Sequence, residues 1–91
     1  MLDMRPEDAL KVVLRPYVTE KTFDLIERQN KICFLVDVKA SKQKIKSAIE
    51  TLYQVKVQSV NTSITVYGKK AFVRFSPESS ASDLASKLGL V

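Results

Sequence analysis

One row of apolar residues in the middle of the chain constrains the fold most. Ile45, Ala48, Ile49, Leu52 and Tyr53 recur at i, i+3, i+4, i+7 and i+8, the spacing that lines one side of an α-helix. That side must be buried, and a stretch rich in β-branched residues follows it directly. We therefore expect the rest of the chain to be built around a helix that runs into a strand.

The start of this helix combines an ordinary cap with an unusual first turn. Ser41 can accept a hydrogen bond from a free backbone N–H, so the helix is predicted to begin there. Lys42 and Lys44 then place two cations where the helix dipole favours anions. Two interpretations stay open: the lysines meet an anion from outside the chain, or they are simply solvated.

Local patterns predict the elements that precede this helix. Residues 1–11 read as an extended or loosely helical lead-in, and the apolar triplet at residues 12–14 predicts a short first strand. Pro16 ends that strand because proline has no N–H to donate. Thr19 has the side chain of an N-cap and predicts a helix of about ten residues after it.

Three further segments have the composition of strands. Residues 31–38 are rich in β-branched and aromatic side chains without alternation, which indicates a strand covered on both faces. Residues 55–66 predict a long strand whose apolar phase slips near Gln58 and Ser59, as a β-bulge would cause. Residues 67–75 supply a turn and the returning strand of a hairpin.

A short closing helix is predicted over residues 83–88, with Gly89 as its C-cap. The predicted order is therefore β-α-β-α-β-β-α in a single domain of residues 1–91. The fold class is α+β, with a four-stranded, mainly antiparallel sheet, two main helices and a short C-terminal helix. The helical connection between the second and third strands predicts that these two run parallel.

The charge of the chain favours a polyanionic partner. The net charge is +5, but residues 11–75 hold thirteen Lys or Arg against five Asp or Glu, and both ends are acidic. Nucleic acid fits this charge better than a membrane surface, which usually needs a basic amphipathic helix or a lipid anchor. Apolar runs far shorter than ~20 residues argue against membrane insertion, and we expect an intracellular protein whose cations gather on one side.

The residues that catalysis requires are scarce. The chain has no histidine, two glycines and one cysteine, Cys33, which we expect to be a buried thiol. No metal, cofactor or phosphate-binding loop is therefore expected. Glu50 lies four residues after Lys46, a spacing typical of a surface ion pair. The best enzymatic alternative is a small phosphate-ester or acyl-phosphate hydrolase that uses Arg15 and Asn61.

The candidate RNA-binding residues fall into three groups. They are Lys11, Arg15, Thr19 and Lys21 around the first helix start; Lys42, Lys44 and Lys46 at the second helix start; and Asn61, Thr62, Tyr67, Lys69, Lys70 and Arg74 along the hairpin. Such side chains contact phosphates and 2′-hydroxyl groups, which position an RNA without reading its sequence closely. A single lysine is ordinarily a solvated surface charge, whereas three clusters together favour an RNA-binding surface.

A second kind of RNA-binding module is the main alternative. The hairpin segment GKKAFVRF matches the second part of the aromatic RNP1 stretch of an RNA recognition motif. Its first part differs, because Lys69 stands where that motif has glycine and Lys70 where it has an aromatic residue. Phe72 and Phe75 are therefore expected to pack within the sheet rather than to stack on bases.

Three segments together resemble a known family. VLRPYVTEKT, ASKQKIKSAIETLYQVKVQSVNT and GKKAFVRF are similar to the universal large-subunit ribosomal protein L twenty-three family, and the resemblance covers most of the chain. It implies a protein that binds large-subunit (23S-type) rRNA in the cytoplasmic ribosome, at the rim of the polypeptide exit tunnel. The implied partners are that rRNA, neighbouring large-subunit proteins, and the signal recognition particle or other nascent-chain factors.

The resemblance also carries residues over by position. The implied rRNA contacts are Arg15, Thr19, Lys21, Lys42, Asn61, Thr62, Lys69, Lys70 and Arg74. Lys11, Lys44 and Lys46 are added on charge alone. Bacterial relatives carry a long extension between the hairpin strands, whereas here Tyr67 and Gly68 close the hairpin at once. The chain therefore resembles archaeal-type members, and a tunnel-lining role is not implied.

Overall fold

The computed structural model describes residues 4–90. Its elements are α1 (Pro6–Val12), β1 (Val13–Pro16), α2 (Glu20–Gln29), β2 (Lys31–Val36), α3 (Lys42–Tyr53), β3 (Val57–Thr65), β4 (Gly68–Phe75) and α4 (Ala81–Lys87). The four strands form one antiparallel sheet in the order β1-β2-β4-β3. The predicted α+β class and the order of its elements are confirmed, with one additional helix at the start.

The middle of the sheet explains how a helical crossover fits an antiparallel sheet. β4 lies between β2 and β3 and is antiparallel to both. Two strands that are each antiparallel to a third run in the same direction, so β2 and β3 are parallel without being neighbours. The predicted parallel direction of β2 and β3 is confirmed. β4, the second strand of the hairpin, lies between them, and α3 connects them across it.

The additional helix, α1, occupies part of the segment expected to be a lead-in. Pro6 stands in its first turn, where a missing N–H costs nothing, and Glu7 and Asp8 follow it there. Lys11 lies in the last turn, and the buried Ala9 belongs to the same core as the inner side of α3. Seven residues without apolar periodicity give a weak sequence signal, so packing against α3 is what accounts for this helix.

The caps of the two main helices lie where the sequence placed them. Thr19 caps α2 by accepting a hydrogen bond from the Thr22 backbone N–H, and the Thr22 hydroxyl accepts one from the Thr19 N–H at 2.6 Å. Ser41 caps α3 by accepting from the Lys44 N–H. Both predicted helix starts are confirmed.

The start of β3 confirms one prediction from the sequence and contradicts another. The pairing of β3 with β4 shifts between Val57 and Ser59, which confirms the predicted bulge. Glu50, expected to pair with Lys46, instead accepts a hydrogen bond from the Val57 N–H at 3.1 Å through its Oε2 atom. Within residues 4–90 only one ion pair forms, between Lys56 and Glu78, so the Lys46–Glu50 prediction is wrong.

The sheet has two unequal faces. Its first face carries the main core, in which strand residues such as Phe34, Val73 and Phe75 pack with residues of α1, α3 and α4. Its second face carries the alternate residues of each strand. Cys33 and Leu35 of β2 are buried on that second face as well, which confirms that this strand is covered on both sides. Along β3 and β4, the second face is exposed or half-buried.

The C-terminal helix ends with a glycine cap. Gly89 has a φ of 75°, and the N–H groups of Gly89 and Leu90 donate to the carbonyls of Ser86 and Ala85. This is the Schellman arrangement, in which a left-handed residue closes the last turn.

Within the described residues, no helix combines the length and apolarity needed to cross a bilayer.

Candidate nucleic-acid interface

The strand pairing brings cations from three strands onto the second face. Arg15 lies opposite Leu35, Lys70 lies between Leu35 and Ser63, and Arg74 lies between Lys31 and Ser59. Directly paired residues of antiparallel strands project to the same side. Asn61, paired with Phe72, projects to that side too. Four of the predicted residues, Arg15, Asn61, Lys70 and Arg74, therefore share the second face.

The strands supply no charge to neutralise these cations. None of the four strands contains an aspartate or a glutamate. Lys31 adds a further cation beside Arg74 that the sequence analysis missed. In the sequence, Lys31 alternates with Cys33 and Leu35 along β2, which places the three on one side of that strand. That pattern points to a basic face only when β4 is known to be the neighbouring strand. The second face is therefore basic because the strand register brings cations of three strands together. No single run of charged residues in the sequence accounts for it.

A groove opens between the start of α2 and β4. It has a volume of about 580 Å³, and its lining residues are Tyr17, Thr19, Glu20, Lys21, Thr22, Leu25, Lys70 and Phe72. The Lys70 Nζ atom lies 4.0 Å from the centre of the Tyr17 ring, a cation–π contact. Tyr17 is itself positioned by its backbone N–H, which donates to the Cys33 carbonyl at 2.9 Å. We call this cavity the Tyr17–Phe72 groove.

A second cavity, of about 400 Å³, lies at the end of the sheet where the β3–β4 hairpin turns. Lys11, Arg15 and Lys69 line it together with Asp37 and exposed apolar residues such as Val38. The Lys69 ammonium donates a hydrogen bond of 2.6 Å to the Ala40 carbonyl and so holds the segment that leads into α3. Lys69 therefore has a structural contact in addition to its predicted role.

The remaining predicted residues lie elsewhere. Thr62 pairs with Ala71 and projects to the first face, opposite to its neighbour Asn61. The exposed Lys42, Lys44 and Lys46 belong to α3, the helix that covers the first face. The expectation that the cations gather on one side is therefore wrong. The packing of α3 on the first face places its three lysines in the opposite layer, and alternation along β3 separates Thr62 from Asn61.

The geometry removes the hydrolase alternative. Arg15 lies on β1 and Asn61 on β3, at the two edges of the sheet. Three strand spacings of about 4.8 Å separate those strands by roughly 14 Å, too far for one reacting group to meet both side chains. Within residues 4–90, no group of His, Cys, Asp or Glu side chains is arranged to hold a metal ion.

Burial changes the acidity of two groups beneath these surfaces. Burial raises the pKa of the Cys33 thiol to about 11, and the nearby positive charge of Lys70 opposes this shift in part. Burial also raises the pKa of Tyr53, whose ring stacks on Phe34 with 5.9 Å between the ring centres. Both groups are neutral at pH 7, so Cys33 is the buried thiol that the sequence predicted rather than a nucleophile.

The fold and surface define a small, basic α+β domain with no assembled catalytic site among the described residues. Comparisons with known proteins agree with that class. The family model described as Ribosomal protein L23 matches residues 11–84. A protein named large ribosomal subunit protein uL23 from Methanothermobacter thermautotrophicus is 42% identical over 84 residues, covering 91% of this chain and 98% of the relative.

A second relative gives the same result. The large ribosomal subunit protein uL23 of Methanococcus aeolicus is also 42% identical, with the same coverage of both chains. This chain belongs to the ribosomal protein L23 family and is similar to its archaeal members. It is a structural, non-catalytic constituent of the large ribosomal subunit and is cytoplasmic within the ribosome. The resemblance noted in the sequence is confirmed.

Proposed function

We propose that the chain binds folded large-subunit rRNA through the second face of its sheet and the basic regions beside it. The observation that carries this proposal is that Arg15, Lys70 and Arg74 face the same way on a sheet whose strands hold no acid. Cations without local counter-charges attract phosphates, and binding releases the counterions of those phosphates. The proposed contacts at that face and its margins are Lys11, Arg15, Thr19, Lys21, Lys31, Asn61, Lys69, Lys70 and Arg74. Lys42, Lys44, Lys46 and Thr62, which lie on the opposite layer, are proposed as contacts of rRNA that folds around the chain.

The polar residues of β3 suit recognition of RNA shape. Ser59, Asn61 and Ser63 project to the second face from the strand beside Lys70 and Arg74. Hydroxyl and amide groups next to cations can bond to 2′-hydroxyls and phosphates, which are the groups a folded RNA presents in its shallow groove.

The experiment is equilibrium binding to a transcript of archaeal large-subunit rRNA at several salt concentrations. The variant Lys70→Gln/Arg74→Gln removes two cations from the second face. The matched control Lys56→Gln/Lys87→Gln removes two exposed cations from outside it. We expect the first variant to bind more weakly and to flatten the slope of log K against log salt by roughly 1.5–2, while the control stays near the parent protein. Equal effects of both variants would refute the proposal.

The alternative is a free-standing module of RNA-recognition-motif type that prefers short single strands. In residues 4–90, β4 is followed by one short helix and no further strand, which departs from that motif. Short unpaired oligonucleotides and the rRNA transcript provide the discriminating pair of ligands. Tighter binding to the transcript supports the ribosomal assignment, and tighter binding to the oligonucleotides supports the alternative.

We further propose that the chain lies near the polypeptide exit tunnel and helps to dock nascent-chain factors such as the signal recognition particle. Membership of the family supports this part of the proposal. The exposed acids Glu78, before α4, and Asp83, in the first turn of α4, lie outside the sheet. Ribosomes that carry Glu78→Lys/Asp83→Lys are expected to bind the particle less tightly than ribosomes with Glu7→Lys/Asp8→Lys, a control in α1. Unchanged binding by both would exclude these two acids as docking residues.

A further inference from the structure

The Tyr17–Phe72 groove brings a sizeable volume, aromatic walls and cations together in one place. It lies between two elements, and its volume of about 580 Å³ is within the roughly 300–1,000 Å³ range of small-molecule sites. Tyr17, Leu25 and Phe72 give it apolar and aromatic walls. Lys21 and Lys70 place ammonium groups among them, so one cavity offers both an aromatic surface and cations.

Phe72 is the unusual residue of this groove. It projects to the second face between Lys70 and Arg74, opposite Cys33 on one neighbouring strand and Asn61 on the other. Phe75 belongs to the same GKKAFVRF segment and is almost fully buried in the main core. Phe72, by contrast, is only half-buried. The sequence-based expectation that both rings serve sheet packing therefore holds for Phe75 and fails to explain the exposure of Phe72.

Lys70 is held in place before any ligand arrives. Its Nζ atom lies 4.0 Å above the Tyr17 ring, and the Tyr17 main chain is tied to Cys33. An ammonium group that is already fixed loses less side-chain freedom when it binds an anion. The cation therefore stands beside the half-exposed Phe72 ring in a defined position.

We propose that this groove receives one unstacked RNA base, which lies against the Phe72 ring while Lys70 and Lys21 hold its phosphates. Aromatic walls flanked by cations match a nucleotide, which has a flat π-face joined to an anion. A phosphate alone would leave the apolar walls in water. This inference rests on the proposed function and specifies one subsite of the rRNA surface.

The first test measures binding of the rRNA transcript by Phe72→Leu, with Phe72→Tyr as the conservative variant. Leu10→Ala is the control, since Leu10 is an exposed apolar residue of α1 outside the groove. Loss of one stacked base predicts a fall in affinity of roughly 5- to 150-fold for Phe72→Leu, with an unchanged salt slope. Phe72→Tyr and Leu10→Ala should bind like the parent protein, and all variants are checked for native circular dichroism.

The outcomes separate this inference from the proposed function. If the parent protein binds the transcript and natively folded Phe72→Leu binds equally well, the groove does not hold a base and the broader proposal stands. If the parent protein itself does not bind the transcript, the proposed function fails. If the groove instead bound an apolar protein segment, Phe72→Leu and the parent protein would bind the transcript equally well, and the inference would be overturned.

The second test locates the base directly. Transcripts that carry 5-iodouracil are irradiated in complex with the full chain, and cross-linked peptides are identified by mass spectrometry. We expect cross-links at Tyr17 or Phe72, and we expect Lys70→Gln to reduce their yield because it removes the phosphate contact. Cross-links found only outside the groove would contradict the inference.

Discussion

The Oδ1 atom of Asn30 accepts a hydrogen bond of 2.6 Å from the backbone N–H of Ala81. Asn30 thereby joins the end of α2 to the start of α4. Its Nδ2 group donates to the carbonyls of Phe75, Ser76 and Ser79 at 2.9–3.3 Å, so the same amide holds the whole segment after β4. Asn30 also has a φ of 55°, the left-handed conformation that asparagine tolerates at a helix end.

This relationship predicts that Asn30→Ala lowers the free energy of unfolding by about 1–3 kcal/mol or more, because partly buried carbonyls and an N–H lose their partner. Asn30→Gly should be less destabilised than Asn30→Ala, since glycine adopts a positive φ without strain. Urea denaturation of the three proteins measures both differences. Equal stability of the parent and the alanine variant would show that the amide contributes nothing.

The hydrogen bond that the Val57 N–H donates to Glu50 gives a prediction that distinguishes it from a Lys46–Glu50 ion pair. Glu50→Ala should lower the free energy of unfolding by about 1–3 kcal/mol, because the N–H at the bulge loses its acceptor. Glu50→Gln keeps an acceptor oxygen and should be closer to the parent. Lys46→Ala should change stability by no more than about 0.5 kcal/mol. Similar losses from Lys46→Ala and Glu50→Ala would instead indicate the ion pair expected from spacing.

Cys33 predicts how stability responds to alkaline pH. Its pKa is about 11 in the folded chain against an ordinary value of 9.0, so the unfolded chain loses this proton first as pH rises. The contribution is fully present below pH 9 and is lost between pH 9 and 11, with an upper bound of roughly 3 kcal/mol. Burial shifts the pKa of Tyr53 in the same direction. Urea denaturation from pH 7 to 11 follows the loss.

Cys33→Ala is the control for that titration. Its stability should decline less steeply above pH 9 than that of the parent, with the effect of Tyr53 left in place. A thiol reagent at pH 8 should also react with the parent protein only after urea unfolding, because the thiol is buried. Identical alkaline profiles for the two proteins would remove Cys33 as the cause.

The sequence predicted those elements whose signals are local. The α3 periodicity, the Thr19 and Ser41 caps, and the phase slip at Ser59 each depend on residues close together in the chain, and each is confirmed. The helix α1 was predicted only as an extended or loosely helical lead-in, because its stability depends on packing against α3. The role of Glu50 was missed because Val57, its partner, lies beyond the end of the helix that carries it.

The candidate surface was predicted in composition but not in arrangement. Residue types alone identified Arg15, Lys70 and Arg74, but which face they occupy depends on β4 lying between β2 and β3. That long-range pairing brings Lys31 beside Arg74 and leaves Phe72 half-exposed near Lys70. The same alternation sends Thr62 to the face opposite Asn61, as it does for any two adjacent residues of a strand. Only the packing of the helices shows which of the two faces is covered.

Binding of rRNA through the second face can be tested by residue-by-residue chemical protection of the lysines. The chain is acetylated with and without the large-subunit transcript, and mass spectrometry gives the ratio of modification at each lysine. We expect strong protection of Lys31 and Lys70 on the second face, with Lys56 and Lys87 modified equally in both samples. Protection of Lys56 and Lys87 with Lys31 and Lys70 unprotected would contradict binding through the second face.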